Sequence, residues 1–238
     1  HTILMIPRHL LCVLAATLAT ASAAPRAVSC RVISFGKNPE IPAELFCPAK
    51  VAGEFNKAVP SLSVESFPVE IFVPENGEIR FTAAANAASP VIATAIIPPG
   101  AEKAYLFLLA DPTPGDAKLF QIVAIEDSPQ ATPPGGAMIH NATLQEARVT
   151  LAKDIHPLSP GKSVSLTNPT GKDEYNMAPL KIEIQANGRW TSVKDGLTRF
   201  SPRDLYLIFT YPGPQPDKAL VKIYQKSVTI STAGKKKP

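Results

Sequence analysis

The residues that most often carry chemistry are scarce. In 238 residues there are 4 His, 3 Cys, 1 Trp and 18% charged side chains. No G-x-S-x-G nucleophile turn is present, no H-E-x-x-H, and no glycine-rich loop that opens a helix to cradle phosphate. Uninterrupted helical stretches are also scarce, because 25 prolines run through the chain. Each proline inside a helix removes a hydrogen bond and clashes with the preceding turn. Helical bundles and doubly wound α/β folds are therefore excluded. The 45% hydrophobic content is too apolar for a disordered chain.

Only one apolar run is long enough to suggest targeting. Met5 to Ala24 reads MIPRHLLCVLAATLATASAA, in which Arg8 supplies a positive start, Leu10 to Leu18 an apolar centre, and Ala21 and Ala23 an A-x-A end. That order predicts a secretory leader over residues 1–23, with Met5 as initiator and Ala24 as the first residue of the exported protein. The run is too short to span a bilayer as a helix, which takes about 20 residues, and no second run approaches that length. Loss of Arg8 trims the net charge of +4 by one. Lys235, Lys236 and Lys237 account for the rest, so the body is neutral, with no clustered basic face for nucleic acid. Residues 234–238 read as a basic solvated tail.

What the chain does have is strand and turn chemistry. Short apolar runs alternate with Pro, Gly, Asn and Asp clusters every 8–15 residues or so, the pattern of an all-β sandwich. The predicted strands begin with Val28–Phe35, Leu62–Val73, Glu78–Ala84, Val91–Ile97, Lys103–Ala110 and Lys118–Glu126. They continue with Ala137–Asn141, Ala147–Ala152, Ser163–Leu166, Leu180–Ala186, Arg189–Val193, Asp204–Tyr211 and Leu220–Ile230. AYLFLLA (104–110) and LYLIFTY (205–211) are apolar nearly throughout, as suits central strands covered on both faces. Pro99-Gly100, Pro160-Gly161 and Pro212-Gly213 predict type II turns, and Asn187-Gly188 a type I′ hairpin. Ala49–Ala58 is the one short stretch with helical character, weakened by Gly53. SPQATPPGG (128–136) has no apolar periodicity and divides the chain. The expectation is an immunoglobulin-like β-sandwich architecture in two packed modules, residues 24–128 and 129–233.

The run IIPPGAEKAYLFLLADPTPGDAKLFQIVAIED (96–127) is followed by PPGGAMIHNAT (133–143), LSPGKSVSL (158–166), GRW (188–190) and RDLYLIF (203–209). In that order the segments resemble exported bacterial proteins of unknown function. The likeness covers most of residues 28–230 and consists of turns and strands. It implies an exported β fold and no activity.

Candidate sites are few. Cys30 and Cys47 remain after loss of Cys12 with the leader, and export predicts a disulfide between them. Zinc is disfavoured, since neither cysteine has a histidine nearby. Blue copper would need the Cys, His and Met types found at His140, His156, Met138 and Met177, but they lack its spacing. On a strand Asp154 and His156 would share a face, where a carboxylate can orient an imidazole, but no nucleophile accompanies them and they read as solvated loop residues before Pro157. Asp111, Asp116, Asp173 and Glu174 offer loop oxygens without the spacing of a calcium loop. Asn141-Ala142-Thr143 is a formal glycosylation sequon, with Asn141 more simply a turn residue. Trp190 stands apart: a two-residue hairpin at Asn187-Gly188 sets it opposite Gln185, on a polar face with Glu183 and Ser192 and away from Ile182, Ile184 and Val193.

These readings predict an exported, non-catalytic surface protein. It would be structural, adhesive or envelope-associated, with no cofactor, no nucleic acid and no membrane span. The alternative is a carbohydrate- or ligand-binding module. Trp190 is the expected contact for a protein or glycan partner at the cell envelope.

Overall fold

The computed structural model describes residues 24–35, 41–110, 120–213 and 218–228. The predicted leader, the C-terminal tail, Asp111 and Asp116 lie outside them. The described residues are all strand, turn and loop, without helix.

Eight strands from the first half form one sheet: Arg26–Ser34 (β1), Leu45–Pro48 (β2), Phe55–Ala58 (β3), Val69–Val73 (β4), Glu78–Thr82 (β5), Val91–Ile96 (β6), Lys103–Ala110 (β7) and Phe120–Glu126 (β8). Their order is β3-β2-β5-β6-β8-β7-β1-β4. The sheet curls around its inner face, so its two edges meet. There Asn56 of β3 donates from Nδ2 to the Glu70 carbonyl of β4 at 3.2 Å. Alternate residues of every strand fill the enclosed core, among them Val28, Cys30, Leu45, Cys47, Ile71, Phe81, Leu106 and Leu108.

The second half forms two four-stranded sheets. Ala147–Leu151 (β10), Asp154–Leu158 (β11), Met177–Ala186 (β13) and Arg189–Arg199 (β14) pair in the order β11-β10-β13-β14. Ala137–Asn141 (β9), Ser163–Leu166 (β12), Asp204–Pro212 (β15) and Ala219–Ser227 (β16) pair as β12-β9-β15-β16. Between these sheets lies a core of Ile139, Val149, Leu180, Ile182, Ile184, Phe200 and Ile208. The molecule is thus all-β with face-packed sheets, as composition predicts.

The two nearly continuous apolar runs are central strands. In β7, Ala104, Leu106 and Leu108 enter the core of the curled sheet, while Tyr105, Phe107 and Leu109 face outward into a third core. In β15, Tyr206 and Ile208 enter the sandwich core, while Leu205, Leu207 and Phe209 face that same third core. Phe107 and Phe209 meet there with ring centroids 4.4 Å apart. Each side chain of this size contributes about 1.5–3 kcal/mol on burial.

Ion pairing ties the same junction. Asp127 accepts from Arg31 at 3.0 Å and from Lys226 of β16 at 2.7 Å, and the three side chains are only 9%, 22% and 17% exposed.

Turn chemistry is realised at three of the four expected sites. Gly100 and Gly161 have φ of +78° and +67°, closed by Ala101 N–H to Pro98 O and Lys162 N–H to Ser159 O. Asn187 and Gly188 have φ of +51° and +73°, as a type I′ turn requires. Pro212-Gly213 differs. Pro212 stays in β15, and Gly213 N–H bonds Lys218 O at the mouth of a longer connection. A Cβ on Gly213 would collide with that carbonyl oxygen.

Three expectations about elements are corrected. Ala49–Ala58 is a hairpin arm: the chain turns at Val51–Gly53, with Gly53 at φ +86°, and residues 55–58 pair with β2. Leu62–Pro68 is a turn region stapled by the Ser61 and Ser63 hydroxyls, so only Val69–Val73 is strand there. Asp154–Leu158, expected as loop, is edge strand β11. The dividing segment 128–136 is tied into the second half, since Gly135 N–H bonds Asp204 O and Tyr206 N–H bonds Gly136 O.

Candidate functional site

Trp190 is placed by its hairpin. The register pairs Ala186 with Arg189 and Gln185 with Trp190. Alternation then sets Trp190, Ser192, Gln185, Glu183 and Lys181 on the outward face of the sheet. A bulge after Ile182 makes Glu183 face Ser192 and Ile182 face Lys194, which leaves Val193 against the sandwich core. On the next strand Arg148 lies opposite Glu183.

These side chains form one connected unit. Arg148 donates from Nε to Glu183 Oε2 at 2.6 Å, and Lys181 reaches Glu183 Oε1 at 2.9 Å. The Arg148 guanidinium lies over the Trp190 ring, 4.4 Å from its centroid. Hydrogen bonds from the two cations hold the Glu183 carboxyl down at about 2. The pair backing the indole is therefore charged at any pH above the ordinary carboxylate range, and is lost only as the pH falls toward 2. Trp190 remains 38% exposed. With one ring face covered by the guanidinium, the accessible surface belongs to the other. Sequence patterning identified Trp190, Glu183, Gln185 and Ser192. It missed Arg148 and Lys181, because their roles depend on the pairing of β10 with β13.

The expected Cys30–Cys47 disulfide is not formed. Both cysteines are buried free thiols. They lie on β1 and β2, which are not neighbours in the sheet, and point into its core from two walls. Cys47 Sγ donates weakly to Asn56 O at 3.9 Å. Burial pushes Cys30 up to about 12, with Cys47 adding to it, and Cys47 up to about 11. A thiol kept protonated and out of solvent is a poor nucleophile. Iodoacetamide at pH 8 should leave both unmodified in the native protein and label both in urea, as read by peptide mass spectrometry. Rapid native labelling would contradict this burial.

The histidines and acids have separate surroundings. His140 is buried, with Nδ1 2.8 Å from Ser163 Oγ and its ring against Phe209, 5.8 Å between centroids. Its Nε2 has no hydrogen-bond partner. Met138 packs into the same layer, and Met177 begins β13. On β11 Asp154 and His156 share one face, beside a cavity of about 210 Å³ that Asn168 and Thr170 also line. Asp173 accepts the Tyr175 and Met177 N–H groups at 2.9 and 2.8 Å, and so serves the turn before β13. Glu174 is exposed beside it. Among the described residues no group of three or more His, Cys, Asp or Glu is placed to hold a metal ion.

Desolvation lowers His140 to about 4. The unfolded chain, with histidine near 6.5, then binds the extra proton. The stability held above pH 6.5 is lost as the pH falls toward 4, by about 2 kcal/mol at pH 5. Urea midpoints at pH 7 and pH 5 should differ accordingly, and the difference should shrink in His140→Gln. An unchanged difference in that variant would remove His140 from the account.

Asn141 is no surface acceptor for a glycan. It is fully buried. Its Nδ2 donates to Gln145 O at 2.7 Å and Leu158 O at 3.0 Å, while its Oδ1 accepts from Thr143 N–H, Thr143 Oγ1 and Thr210 Oγ1.

A larger depression lies where the edges of the curled sheet meet. It consists of cavities of about 720 and 630 Å³ that share Pro25, Ala49, Lys50 and Phe72. Sequence periodicity gave no sign of it, because it arises from sheet closure. The flanking edges β3 and β4 are four and five residues long, and Pro60, Pro68 and Pro74 bound them. Short, proline-bounded edges resist pairing with a further strand.

No protein-family model matches the chain, and no curated protein matches it either.

Proposed function

We propose that this chain is an exported, non-catalytic β-sandwich protein. It acts through its surface as a structural, adhesive or envelope-associated component. Residues 1–23 are its leader, and residues 24–128 and 129–233 are two packed modules of immunoglobulin-like character. Segregation of the first eight strands and the last eight into different sheets supports that division. The secretory pattern of Met5 to Ala24 supports export.

The observation that carries the surface role is Trp190. A protein's single tryptophan is ordinarily well buried. Here it stands on an outward sheet face, stacked on Arg148 and backed by the Arg148–Glu183 pair. That arrangement holds a large aromatic surface rigid and open to solvent, which favours contact with a partner. The same observation favours the second reading, a carbohydrate- or ligand-binding module.

Expression of the full chain in a secreting host tests both halves of the proposal. The exported protein should begin near Ala24 by N-terminal sequencing, and should co-sediment with isolated cell envelopes. Trp190→Ala should greatly reduce co-sedimentation while leaving the circular dichroism spectrum unchanged. A product still beginning at Met5 would overturn export. Wild-type protein left wholly in the supernatant would overturn the surface role.

A further inference from the structure

Resting on that reading of the Trp190 face, we propose that it binds an uncharged glycan, with one pyranose ring stacked on the free side of the indole. The face is arranged in rows across the strands. One row holds Glu146, Gln185 and Trp190, the next Arg148, Glu183 and Ser192, and a third Thr150, Lys181 and Asp195. Apart from Trp190, the large exposed hydrophobics of this face, Ile155 and Leu197, lie further along the sheet, at and beyond the row of Lys181, and Pro157 is set beyond Arg148 on the edge strand. The immediate neighbours of the indole are all polar.

Two features select the ligand. The first is charge. Arg148 and Lys181 are outnumbered by Glu146, Glu183 and Asp195, and Glu183 takes up both cations in ion pairs. Within these three rows neither cation is left unmatched, and Glu146 and Asp195 would repel a uronate or sulfate. The second is hydrogen bonding. Gln185, directly across from Trp190, is exposed, and its amide offers both donors and an acceptor. The Ser192 hydroxyl is exposed in the adjacent row. An amide and a hydroxyl beside a flat aromatic ring match a sugar, which presents C–H groups on one face and hydroxyls at its rim. The guanidinium behind the ring fixes the indole before any ligand arrives, so little side-chain entropy is lost on binding. Arg148 is in this sense a positioning residue.

The single tryptophan makes the test direct, because intrinsic indole fluorescence reports this site alone. The exported protein is titrated with cellohexaose, mannohexaose and a short polygalacturonate, with isothermal calorimetry in parallel. A saturable emission change with at least one neutral hexaose, and none with polygalacturonate, is expected. By calorimetry Trp190→Ala should weaken binding roughly 30-fold, the scale of a truncated aromatic anchor. Arg148→Gln should weaken it about 3- to 10-fold, with the fold retained. Absence of any response to both neutral sugars at millimolar concentration, comparable binding of polygalacturonate, or undiminished binding by Trp190→Ala would each overturn the proposal. Envelope association that needs Trp190 but resists competition by neutral glycans would overturn it too. That outcome would leave the surface role standing with a protein as the partner.

Discussion

Replacing Asn141 with alanine should cost about 3–5 kcal/mol. Its carboxamide makes five hydrogen bonds and is fully buried. It joins the end of β9, the loop leading to β10, the end of β11 at Leu158, and β15 at Thr210. Truncation would take a donor from the Leu158 and Gln145 carbonyls, leaving Gln145 O with Thr143 Oγ1 alone, and would take an acceptor from two threonine hydroxyls; each buried group left unsatisfied costs about 1–3 kcal/mol. The costs share one site and do not simply add. Since a domain has about 5–15 kcal/mol in all, the variant should unfold at far lower urea, followed by circular dichroism. Asn141→Asp separates hydrogen bonding from shape. At neutral pH it sets a carboxylate against two carbonyl oxygens, so it should be at least as damaging as alanine. A loss below about 1 kcal/mol in Asn141→Asp would show that the network is not what holds this corner.

Asp127→Ala is expected to be of similar size and to act between the two halves. Arg31 and Lys226 both end on this carboxylate, and both also lie over the Tyr105 ring, at 6.0 and 5.0 Å from its centroid. Removing the anion leaves two poorly solvated cations side by side, and breaking a buried pair in this way costs about 3–5 kcal/mol. Replacing Lys226 with methionine in the same chain should recover part of the loss, because one uncompensated charge goes with it. A thermodynamic cycle over Asp127→Ala and Lys226→Met therefore measures the coupling across the junction. Coupling near zero would mean that the aromatic layer around Phe107 and Phe209 alone holds the halves together.

Much of this architecture was legible in the sequence, for identifiable reasons. The strands Lys103–Ala110, Ala137–Asn141 and Ser163–Leu166 match residue for residue, because apolar runs and sharp turns bound them. The Trp190 register followed from Asn187-Gly188, whose left-handed backbone admits one pairing. What escaped notice depends on long-range pairing. β11 is a short edge strand with three of its five residues exposed, so it has no apolar pattern to read. β3 is visible as strand only once β2 lies beside it. The disulfide failed as an inference because export and a cysteine count say nothing of which walls of a curled sheet the thiols occupy. Asn141 read as an ordinary turn residue, and only packing turns it into the centre of a network. Arg148 and Lys181 became part of the Trp190 unit through the β10–β13 pairing, which no local signal encodes.

The strand order also sets a timetable for folding. β1 leaves the ribosome well before β7, yet in the finished sheet it lies parallel to it, with Cys30 facing Ala104. Likewise β9 lies parallel to β15, with Ile139 facing Ile208. Each early strand therefore carries its apolar side chains uncovered while several others are made. Pairings of such high sequence separation form slowly, and the waiting strands are exposed to association with other chains. Synthesis interrupted before Lys103 would yield a β1 that has β4 on one side but lacks β7 on the other, and a nascent chain of that length should depend on a holding chaperone far more than one extended past Glu126.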